Sequence, residues 1–404
     1  MKRRLHISLV TETWRPEING VAMTLGRMAD GLLGLGHRIT LVRPRQHTSD
    51  QAGNTPDLNE VLVAGCPIPG YRGLRFGLPA RRRLVEQWRA DRPDVIQVAT
   101  EGPLGGSAIR AARELNIPVV SEFHTNFHAY SKYYGVGWLE QLVAGHLRRL
   151  HNRSEVTLVP TRAVANELTA TGYGNIKVVS RGVDTRLFNP IRRSTELRDA
   201  WGVSATTLVV TYVGRLAPEK NLPLVQRSFA AIKAMCPDAR LLLVGDGPMR
   251  AKLERTAAKG APDSAASAYI FAGMRRGEDL AAHYASADLF LFPSLTETFG
   301  NVTTEALASG LAVVAYRHAA AAEVITDQYN GRLVAAGDEA AFVAAAVEVA
   351  TDTATMHELR RHTAASVRHL DWEQINDKLV TVLSEVIERH ACRDADPELA
   401  LARD

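Results

Sequence analysis

Residues 288–309 read DLFLFPSLTETFGNVTTEALAS and indicate the fold class of this chain. The apolar run at 288–292 is typical of a buried strand, and the segment 300–309 is typical of a helix. The end of a buried strand and the start of a helix therefore share one short loop. This strand–loop–helix unit is the one from which parallel sheets covered by helices are built.

The same alternation runs through both halves of the chain. Helical patterns separate apolar runs at 5–10, 39–43, 60–65, 94–98, 118–122 and 155–159, and again at 207–213, 239–244, 268–272, 288–292 and 311–316. We therefore expect an α/β protein with two Rossmann-like, doubly wound domains. Ligands of such sheets bind in a cleft at the carboxyl ends of the strands.

Gly and Pro interrupt the periodicity between Ser180 and Asp199, which predicts a linker there. We place the first domain at 1–190 and the second at 191–371. A last helical pattern follows at 372–391, and its apolar stripe must be buried against another element. The tail at 392–404 is charged.

Composition excludes several classes of protein. The chain has 404 residues, of which 46% are hydrophobic and 23% charged, as in folded globular proteins. A formal net charge of +4 is too small to indicate a nucleic-acid partner. The three cysteines lack the spacing of a zinc site, and no apolar stretch has the length of a transmembrane helix. We expect a cytoplasmic protein whose contact with a membrane is peripheral.

The loop from Glu297 to Glu305 is the strongest candidate for a binding site. Gly300 allows a ligand to approach the backbone closely, and the amino end of the following helix favours an anion. The two carboxylates can accept hydrogen bonds from sugar or ribose hydroxyls. Taken alone, the same pair would more often be capping or solvated glutamates.

Two further loops carry groups suited to phosphate. Arg215 and Lys220 follow the run at 207–213, and their charges suit a diphosphate, although two solvated surface cations would give the same pattern. Gly20 follows the first strand and opens a helix, so its loop could present backbone amides to a phosphate. A lone turn glycine would be uninformative.

Together these residues resemble the retaining GT-B glycosyltransferases of family 4 over nearly the whole chain. The resemblance rests on Asn19-Gly20, the segment 121–127 (SEFHTNF), the segment 181–184 (RGVD), Gly214-Arg215 with Lys220, the segment 245–248 (GDGP), and Glu297 with Glu305, in the order of the family. The chain looks most like bacterial GDP-mannose-dependent α-mannosyltransferases and sulfoquinovosyl-diacylglycerol synthases. In this family the terminal helix crosses back to the first domain, which would bind the acceptor.

The resemblance also implies roles for individual residues. His124, Arg215, Lys220 and Glu297 would be catalytic, with His124 beside the anomeric carbon and the acceptor. The donor nucleotide-sugar would be bound by Gly20, Arg215, Lys220, Met274, Glu297, Phe299, Gly300, Asn301 and Glu305. Arg215 and Lys220 would hold the diphosphate, Glu297 the transferred sugar, and Glu305 the ribose.

We expect no obligatory metal cofactor. The only Asp-x-Asp match is Asp394-Ala395-Asp396 in the tail, and a solvated charge cluster explains it. Negative charge that develops on the departing phosphate can instead be stabilised by fixed cations. No nucleophilic carboxylate can be named on the expected sugar face, so we favour a front-face transfer in which the donor phosphate accepts the proton of the acceptor.

An arginine-rich segment at 71–92 suggests contact with an anionic membrane. We assign Arg72, Arg75, Arg81, Arg82 and Arg83 to this surface, together with interleaved aromatic residues that include Trp88. An ordinary solvated helix would explain the same pattern. The helical pattern at 138–150 carries an apolar face that suits a core or a membrane equally well.

The function that fits best is transfer of a hexose, with mannose from GDP-mannose favoured, to a lipid or lipid-linked hydroxyl such as that of diacylglycerol or a phosphoinositide-type glycolipid. The main alternative is a transferase that uses UDP-glucose, UDP-galactose or UDP-glucuronate to make glycosyl-diacylglycerol. A soluble saccharide acceptor, a nucleotide-sugar epimerase and a non-catalytic protein that binds a nucleotide-sugar or a membrane are weaker alternatives. A nicotinamide dehydrogenase fails, because Gly31, Gly34 and Gly36 fall late in a helical pattern.

Overall fold

The computed structural model describes residues 3–17, 19–67, 75–124, 140–259 and 268–395. It divides the chain into two compact units. Unit 1 comprises Met1–Arg181 together with Trp372–Asp404, and unit 2 comprises Gly182–Asp371. The division therefore falls at Gly182, earlier in the chain than the boundary expected at 190.

Unit 1 is built on a parallel sheet with the strand order β3-β2-β1-β6-β7-β8-β9. The strands β4 and β5 form a separate, short antiparallel pair. The strands are β1 His6–Val10, β2 Arg38–Pro44, β3 Leu58–Val63, β4 Gly65–Pro67, β5 Arg75–Gly77, β6 Val95–Val98, β7 Val119–Glu122, β8 Val156–Val159 and β9 Ile176–Val178. Every residue of β1, β6, β7 and β8 is buried, as expected for strands covered on both faces.

Helices connect these strands. They are α1 Gly20–Gly34, α2 Arg81–Ala90, α3 Pro103–Glu114, α4 Glu140–His151 and α5 Arg162–Ala170. Asn19 caps α1, because its side chain accepts a hydrogen bond from the Ala22 backbone, and Thr161 caps α5 in the same way.

Unit 2 contains a parallel sheet with the order β12-β11-β10-β13-β14-β15. Its strands are β10 Val209–Val213, β11 Arg240–Val244, β12 Tyr269–Gly273, β13 Leu289–Phe292, β14 Ala312–Tyr316 and β15 Arg332–Val334. Its helices are α6 Thr195–Ala200, α7 Leu222–Met235, α8 Arg250–Lys259, α9 Gly277–Ser286, α10 Asn301–Ala308, α11 Ala319–Val324, α12 Glu339–Thr351 and α13 Thr353–Ser366, with 3₁₀ turns at Pro190–Arg192, Pro218–Lys220 and Arg368–Leu370. The strand order is that of a doubly wound nucleotide-binding fold.

The last helix, α14 Trp372–Ala395, belongs to unit 1 and packs on α1. Its apolar stripe is buried at Ile375, Leu379, Val382, Leu383 and Val386. Where the two helices meet, a Cβ added to Gly31 would lie 1.8 Å from Nδ2 of Asn376. The stripe in the sequence is therefore the face with which the terminal helix returns to the first domain.

In the described residues, no helix combines the length and the hydropathy needed to cross a lipid bilayer.

Candidate donor and acceptor sites

In unit 2, the residues expected to bind the donor follow two strands that pair directly. Val210 and Thr211 of β10 lie in register with Leu289 and Phe290 of β13. Arg215 and Lys220 follow β10, whereas Glu297 and Glu305 follow β13. Because the two strands are parallel, both loops leave the same edge of the sheet. The loops that carry the expected cations and carboxylates are therefore neighbours.

Lys220 and Glu297 are in direct contact. The Nζ atom of Lys220 donates to Oε1 of Glu297, and Ser294 Oγ donates to the same oxygen at 3.0 Å. Their side chains are only 14% and 17% exposed. An ion pair this sheltered is screened less than one on the open surface. Neither this pairing nor the contact from Ser294 was predicted from the sequence.

Gly300 shapes the loop that opens α10. Its φ of 90° lies in the left-handed region, and a Cβ there would come within 3.4 Å of Cγ of Glu297. Gly300 is also the N-cap of α10, and no side chain caps this helix. Phe299 is 1% exposed, with its carbonyl accepting from the Ala320 amide at 2.8 Å. The buried ring and the glycine leave backbone amides at the start of α10 to face an anion.

Asn301 is the first residue of α10. Its Oδ1 is buried and has no hydrogen-bond partner among the residues that the structure describes. A buried acceptor without a partner can accept a hydrogen bond from a donor group of a ligand.

Glu305 lies one turn into α10 and is held by a residue that the sequence analysis missed. The hydroxyl of Tyr284, on α9, donates to Oε2 of Glu305 at 3.0 Å. Tyr284 is fully buried, and both burial and the neighbouring Glu305 raise the pKa of its hydroxyl well above the usual value. The phenol therefore stays protonated and can donate its hydrogen bond to the carboxylate.

Backbone contacts fix the loop that carries Arg215. Gly214 N donates to the Val244 carbonyl at 3.0 Å, and Tyr212 Oη donates to the carbonyl of Arg215 at 3.1 Å. A Cβ on Gly245 would lie 2.0 Å from the oxygen of Gly214. The side chain of Arg215 itself is exposed. The loops after β10 and β11 thus touch through their backbones and present the arginine to solvent.

Met274 follows β12 and is 51% exposed. The guanidinium of Arg276 contacts its sulfur at 3.8 Å. An exposed thioether beside the strand edge is available to pack on an aromatic ring, although nothing in this loop distinguishes one base from another.

In unit 1, His124 lies two residues after the end of β7 and is 7% exposed. Its Nε2 lies 2.6 Å from Oε2 of Glu122, and its Nδ1 lies 3.1 Å from Nη2 of Arg181. Gly20 is the first residue of α1, and the nearest side-chain atom to a Cβ placed there is Nη1 of Arg181, at 4.0 Å. The structure therefore groups His124, Arg181 and Gly20 within unit 1.

The arginines assigned to a membrane surface differ in their surroundings. Arg72 lies outside the described residues. Arg75 donates to the Gly65 carbonyl at 2.5 Å, and Arg81 pairs with Glu114 at 2.6 Å. Arg82 and Arg83 are exposed.

The expectation that Trp88 contributes to that surface is wrong. Trp88 is 1% exposed, and its indole donates to Ser8 Oγ at 3.1 Å. The face of α2 that carries this ring is buried in the core of unit 1, so the ring cannot reach a lipid.

The apolar face expected at 138–150 divides between core and surface. Leu147 and Leu150 on α4 are buried, whereas Leu142 and Val143 are 68% and 40% exposed. Trp138 and Leu139 lie outside the described residues.

No group of three or more His, Cys, Asp or Glu side chains that could hold a metal ion occurs in the described part of the chain.

Comparison with known proteins identifies the family. Models described as "Glycosyltransferase Family 4" and "Glycosyl transferases group 1" match residues 18–187 and 207–352. The GDP-mannose-dependent alpha-mannosyltransferase of Corynebacterium glutamicum is 30% identical over 95% of this chain and 90% of its own. The alpha-monoglucosyldiacylglycerol synthase of Acholeplasma laidlawii is 26% identical over 77% of this chain and 80% of its own.

A solved structure supports the same assignment at the level of the fold. Sucrose-phosphate synthase from Thermosynechococcus elongatus superposes with a TM-score of 0.74 at 18% identity, covering 96% of this chain and 100% of that one. The two family models follow each other along the chain as the two sheets do. The chain therefore belongs to glycosyltransferase family 4 and is a hexosyltransferase with the GT-B fold.

Proposed function

We propose that this enzyme transfers mannose from GDP-mannose to a hydroxyl of a lipid or lipid-linked acceptor, with retention of the anomeric configuration. The observation that carries the proposal is the grouping of Arg215, Lys220, Glu297 and Glu305 at one edge of the unit 2 sheet. Cations beside a helix amino end suit a diphosphate, and carboxylates suit sugar hydroxyls. The name of the Corynebacterium relative supports GDP-mannose as the donor.

In the proposed reaction, the bond between the anomeric carbon and the diphosphate oxygen breaks while a bond to the acceptor oxygen forms on the same face. The acceptor proton passes to the departing phosphate. Arg215 and Lys220 stabilise the charge that develops on that phosphate, Glu297 binds the transferred sugar, and Glu305 binds the ribose. No metal is assigned a part in this step.

The acceptor class rests on the second relative. The Acholeplasma protein is named for the synthesis of a glucosyl-diacylglycerol, which supports a membrane lipid as the acceptor here. The same name supports the alternative that this chain transfers glucose to diacylglycerol. The two alternatives differ in both base and sugar, so a single assay separates them.

That assay offers the purified enzyme GDP-mannose, UDP-glucose, UDP-galactose or UDP-glucuronate together with a membrane-lipid extract. Mass spectrometry then identifies new glycolipids. A mannolipid formed only from GDP-mannose supports the leading proposal, and a glucolipid formed only from UDP-glucose supports the alternative. If nucleoside diphosphate is released only when a soluble saccharide is added, the proposal of a lipid acceptor is wrong.

The variant Lys220→Ala tests the role of the cation. We expect kcat to fall about 100-fold or more, because removal of one group that stabilises transition-state charge commonly costs that much. Lys252→Ala is the matched control, since Lys252 is an exposed lysine on α8 of the same unit. Equal rates for the two variants would contradict the phosphate role.

The proposal includes a membrane-binding surface on unit 1. Arg110 of α3, together with His146, Arg149 and Arg153 on and after α4, surrounds a surface pocket of about 70 Å³. Those four side chains are exposed, as are Leu142 and Val143 toward the start of α4. Exposed apolar side chains beside arginines suit the interface of an anionic bilayer, where each basic residue contributes about 1 kcal/mol.

Charge reversal tests this surface. The double variant Arg149→Glu/Arg153→Glu should reduce binding to vesicles of phosphatidylglycerol and phosphatidylcholine by at least 10-fold and should not change donor binding. The control Lys252→Glu/Arg255→Glu makes the same change of net charge on α8 of unit 2, where both side chains are also exposed. Equal vesicle binding by both double variants would remove α4 from the proposed surface.

A further inference from the structure

A buried carboxylate stands next to the candidate acceptor histidine and has no part in the proposed reaction. Glu122 is the last residue of β7 and is 3% exposed. Burial of an ionised carboxylate costs several kcal/mol unless partners offset it. The partners that the structure provides therefore indicate what the charge does.

Glu122 has a partner on each side. Oε2 lies 2.6 Å from Nε2 of His124, and Oε1 accepts a hydrogen bond from the Gln97 side-chain amide. Burial raises the pKa of Glu122, but His124, Gln97 and the nearby Arg181 outweigh it and hold this pKa below its usual value. The carboxylate is therefore ionised at neutral pH.

The other ring nitrogen determines the tautomer of His124. Nη2 of Arg181 lies 3.1 Å from Nδ1, and a guanidinium can only donate hydrogen bonds. Nδ1 must accept in that contact, so the proton of the neutral ring is on Nε2. This nitrogen lies close to Glu122 but has no aligned hydrogen-bond partner among the described residues, so its contact with the carboxylate is electrostatic. The carboxylate favours this tautomer, because an N–H next to a negative charge is more stable than a lone pair there.

Apart from Glu122 and Arg181, the described residues that line the cavity beside His124 are apolar or uncharged. A small cavity of about 10 Å³ beside it is lined by Thr24 and Met28 of α1, by Leu158, Val159 and Pro160 at the end of β8, and by Val179 and Ser180 after β9. Among the described residues that line this cavity with His124, only Glu122 and Arg181 are charged. Among the described residues of this cavity, the imidazole therefore has one anionic and one cationic neighbour.

We propose that Glu122 is a positioning residue for His124 and, through it, for Arg181. The carboxylate fixes the tautomer and orientation of the imidazole, and Nδ1 in turn holds the guanidinium, which lies next to Gly20 at the start of α1. The effect of Glu122 on transfer rests on the proposed function, since it needs His124 at the acceptor. The tautomer can be measured without any turnover.

The variant Glu122→Gln removes the charge and keeps the shape of the side chain. We expect kcat to fall about 10- to 100-fold, as for other groups that orient an active histidine, with the donor KM within 2-fold of wild type. Glu122→Asp should restore kcat in part, since it keeps the charge.

Glu60→Gln is the control for a loss of stability alone. Glu60 is also a carboxylate of unit 1 with a side chain only 10% exposed, and it is paired with Arg43 at 2.8 Å. This variant should lower the melting temperature and leave kcat unchanged. If Glu122→Gln changed stability as Glu60→Gln does and kept a wild-type kcat, the positioning role would be wrong.

Histidine labelled with ¹⁵N gives a readout that is independent of the reaction. Wild type should show His124 protonated on Nε2, and Glu122→Gln should show a mixture of tautomers. An unchanged tautomer in the variant overturns the proposal even if no donor is turned over. Absence of transfer by wild type with every donor would instead overturn the proposed function.

Discussion

At the scale of single residues, one hydroxyl controls the candidate ribose contact. Tyr284→Phe removes the donor to Glu305 and keeps the buried ring. A hydrogen bond to a charged group contributes about 1.5–3 kcal/mol net, so the Kd for the donor nucleotide-sugar should rise about 10- to 100-fold in calorimetric titration.

Tyr316→Phe provides the control for that experiment. Tyr316 is 1% exposed in the same unit, and its hydroxyl has no hydrogen-bond partner in the part of the chain that the structure describes. This variant should bind the donor like wild type. If Tyr284→Phe also bound like wild type, Tyr284 would not orient Glu305 for the ligand.

A second residue, Glu12, should make the stability of unit 1 depend on pH. Burial raises the pKa of Glu12 from 4.5 to about 7, although the amide of Leu104 donates to the carboxylate at 3.0 Å; nearby Glu101 raises the pKa further. The folded chain therefore holds this proton more tightly than the unfolded chain does. The free energy of unfolding should fall by about 3 kcal/mol as pH rises from about 4.5 through 7.

Glu12→Gln should abolish that part of the pH dependence, because an amide does not titrate and its oxygen can still accept from Leu104. Urea unfolding of unit 1 between pH 4.5 and 8 measures the difference. Wild type should lose stability relative to the variant over this range. Parallel curves for the two proteins would show that Glu12 titrates normally.

The sequence indicated where the candidate donor-binding residues lie, but not which side chains they contact. Arg215, Lys220, Glu297 and Glu305 were singled out because strand–loop–helix periodicity places them at strand ends. That Lys220 contacts Glu297 follows from the pairing of β10 with β13, which are far apart in the sequence. Tyr284, whose role depends on the packing of α9 against α10, has no local signal that could have identified it.

At the scale of helices and strands, the contact between α1 and α14 depends on a glycine. Gly31→Ala places a Cβ 1.8 Å from Nδ2 of Asn376, whose side chain is itself buried. Overpacking of this kind commonly costs about 1–3 kcal/mol, and the melting temperature of unit 1 should fall accordingly. Differential scanning calorimetry measures the change.

Gly34→Ala is the matched substitution on the same helix. A Cβ there meets no atom within 4 Å, so the only effect should be the better helix propensity of alanine, a gain of up to about 1 kcal/mol. Opposite signs for the two variants are the expected result. A loss of stability equal to that of Gly31→Ala would point to the helix itself and not to its contact with α14.

The length of a strand also determined whether it could be predicted from the sequence. Long apolar runs such as 207–213 and 288–292 matched β10 and β13, because a strand buried on both faces leaves an uninterrupted signal. The strands β9 and β15 contain three residues each, too few to show periodicity. The arginines and aromatic residues of α2 led to the wrong prediction that Trp88 contacts a membrane. An arginine-rich helix can bury one face while its charges stay in water.

At the scale of the whole molecule, the chain is not divided simply into two halves. Unit 2 is a continuous segment, whereas unit 1 is completed by the terminal helix α14, which returns from the far end of the chain. The apolar stripe of α14 predicted burial but could not name a partner, because periodicity carries no information on contacts far apart in the sequence. The family resemblance supplied that partner, and the contact of α1 with α14 confirms it.

Each unit has its own sheet and core, so we expect two thermal unfolding transitions. Leu383→Ala, on α14, should lower the transition of unit 1, and Phe342→Ala, on α12, that of unit 2, since both side chains are fully buried. The proposed nucleotide contacts, Gly20 excepted, lie in unit 2, so GDP at 100 times its Kd should stabilise that unit by about 2.7 kcal/mol.

Calorimetry of wild type and the two variants, with and without GDP, tests this expectation. GDP should raise the transition that Phe342→Ala lowers more than the other. If GDP raised only the transition that Leu383→Ala lowers, the nucleotide would bind to unit 1, and the roles of Arg215, Lys220 and Glu305 would be wrong. A single transition lowered by both variants would mean that the units unfold together. The melting temperature of a unit that unfolds separately is not changed by a cavity in the core of the other unit.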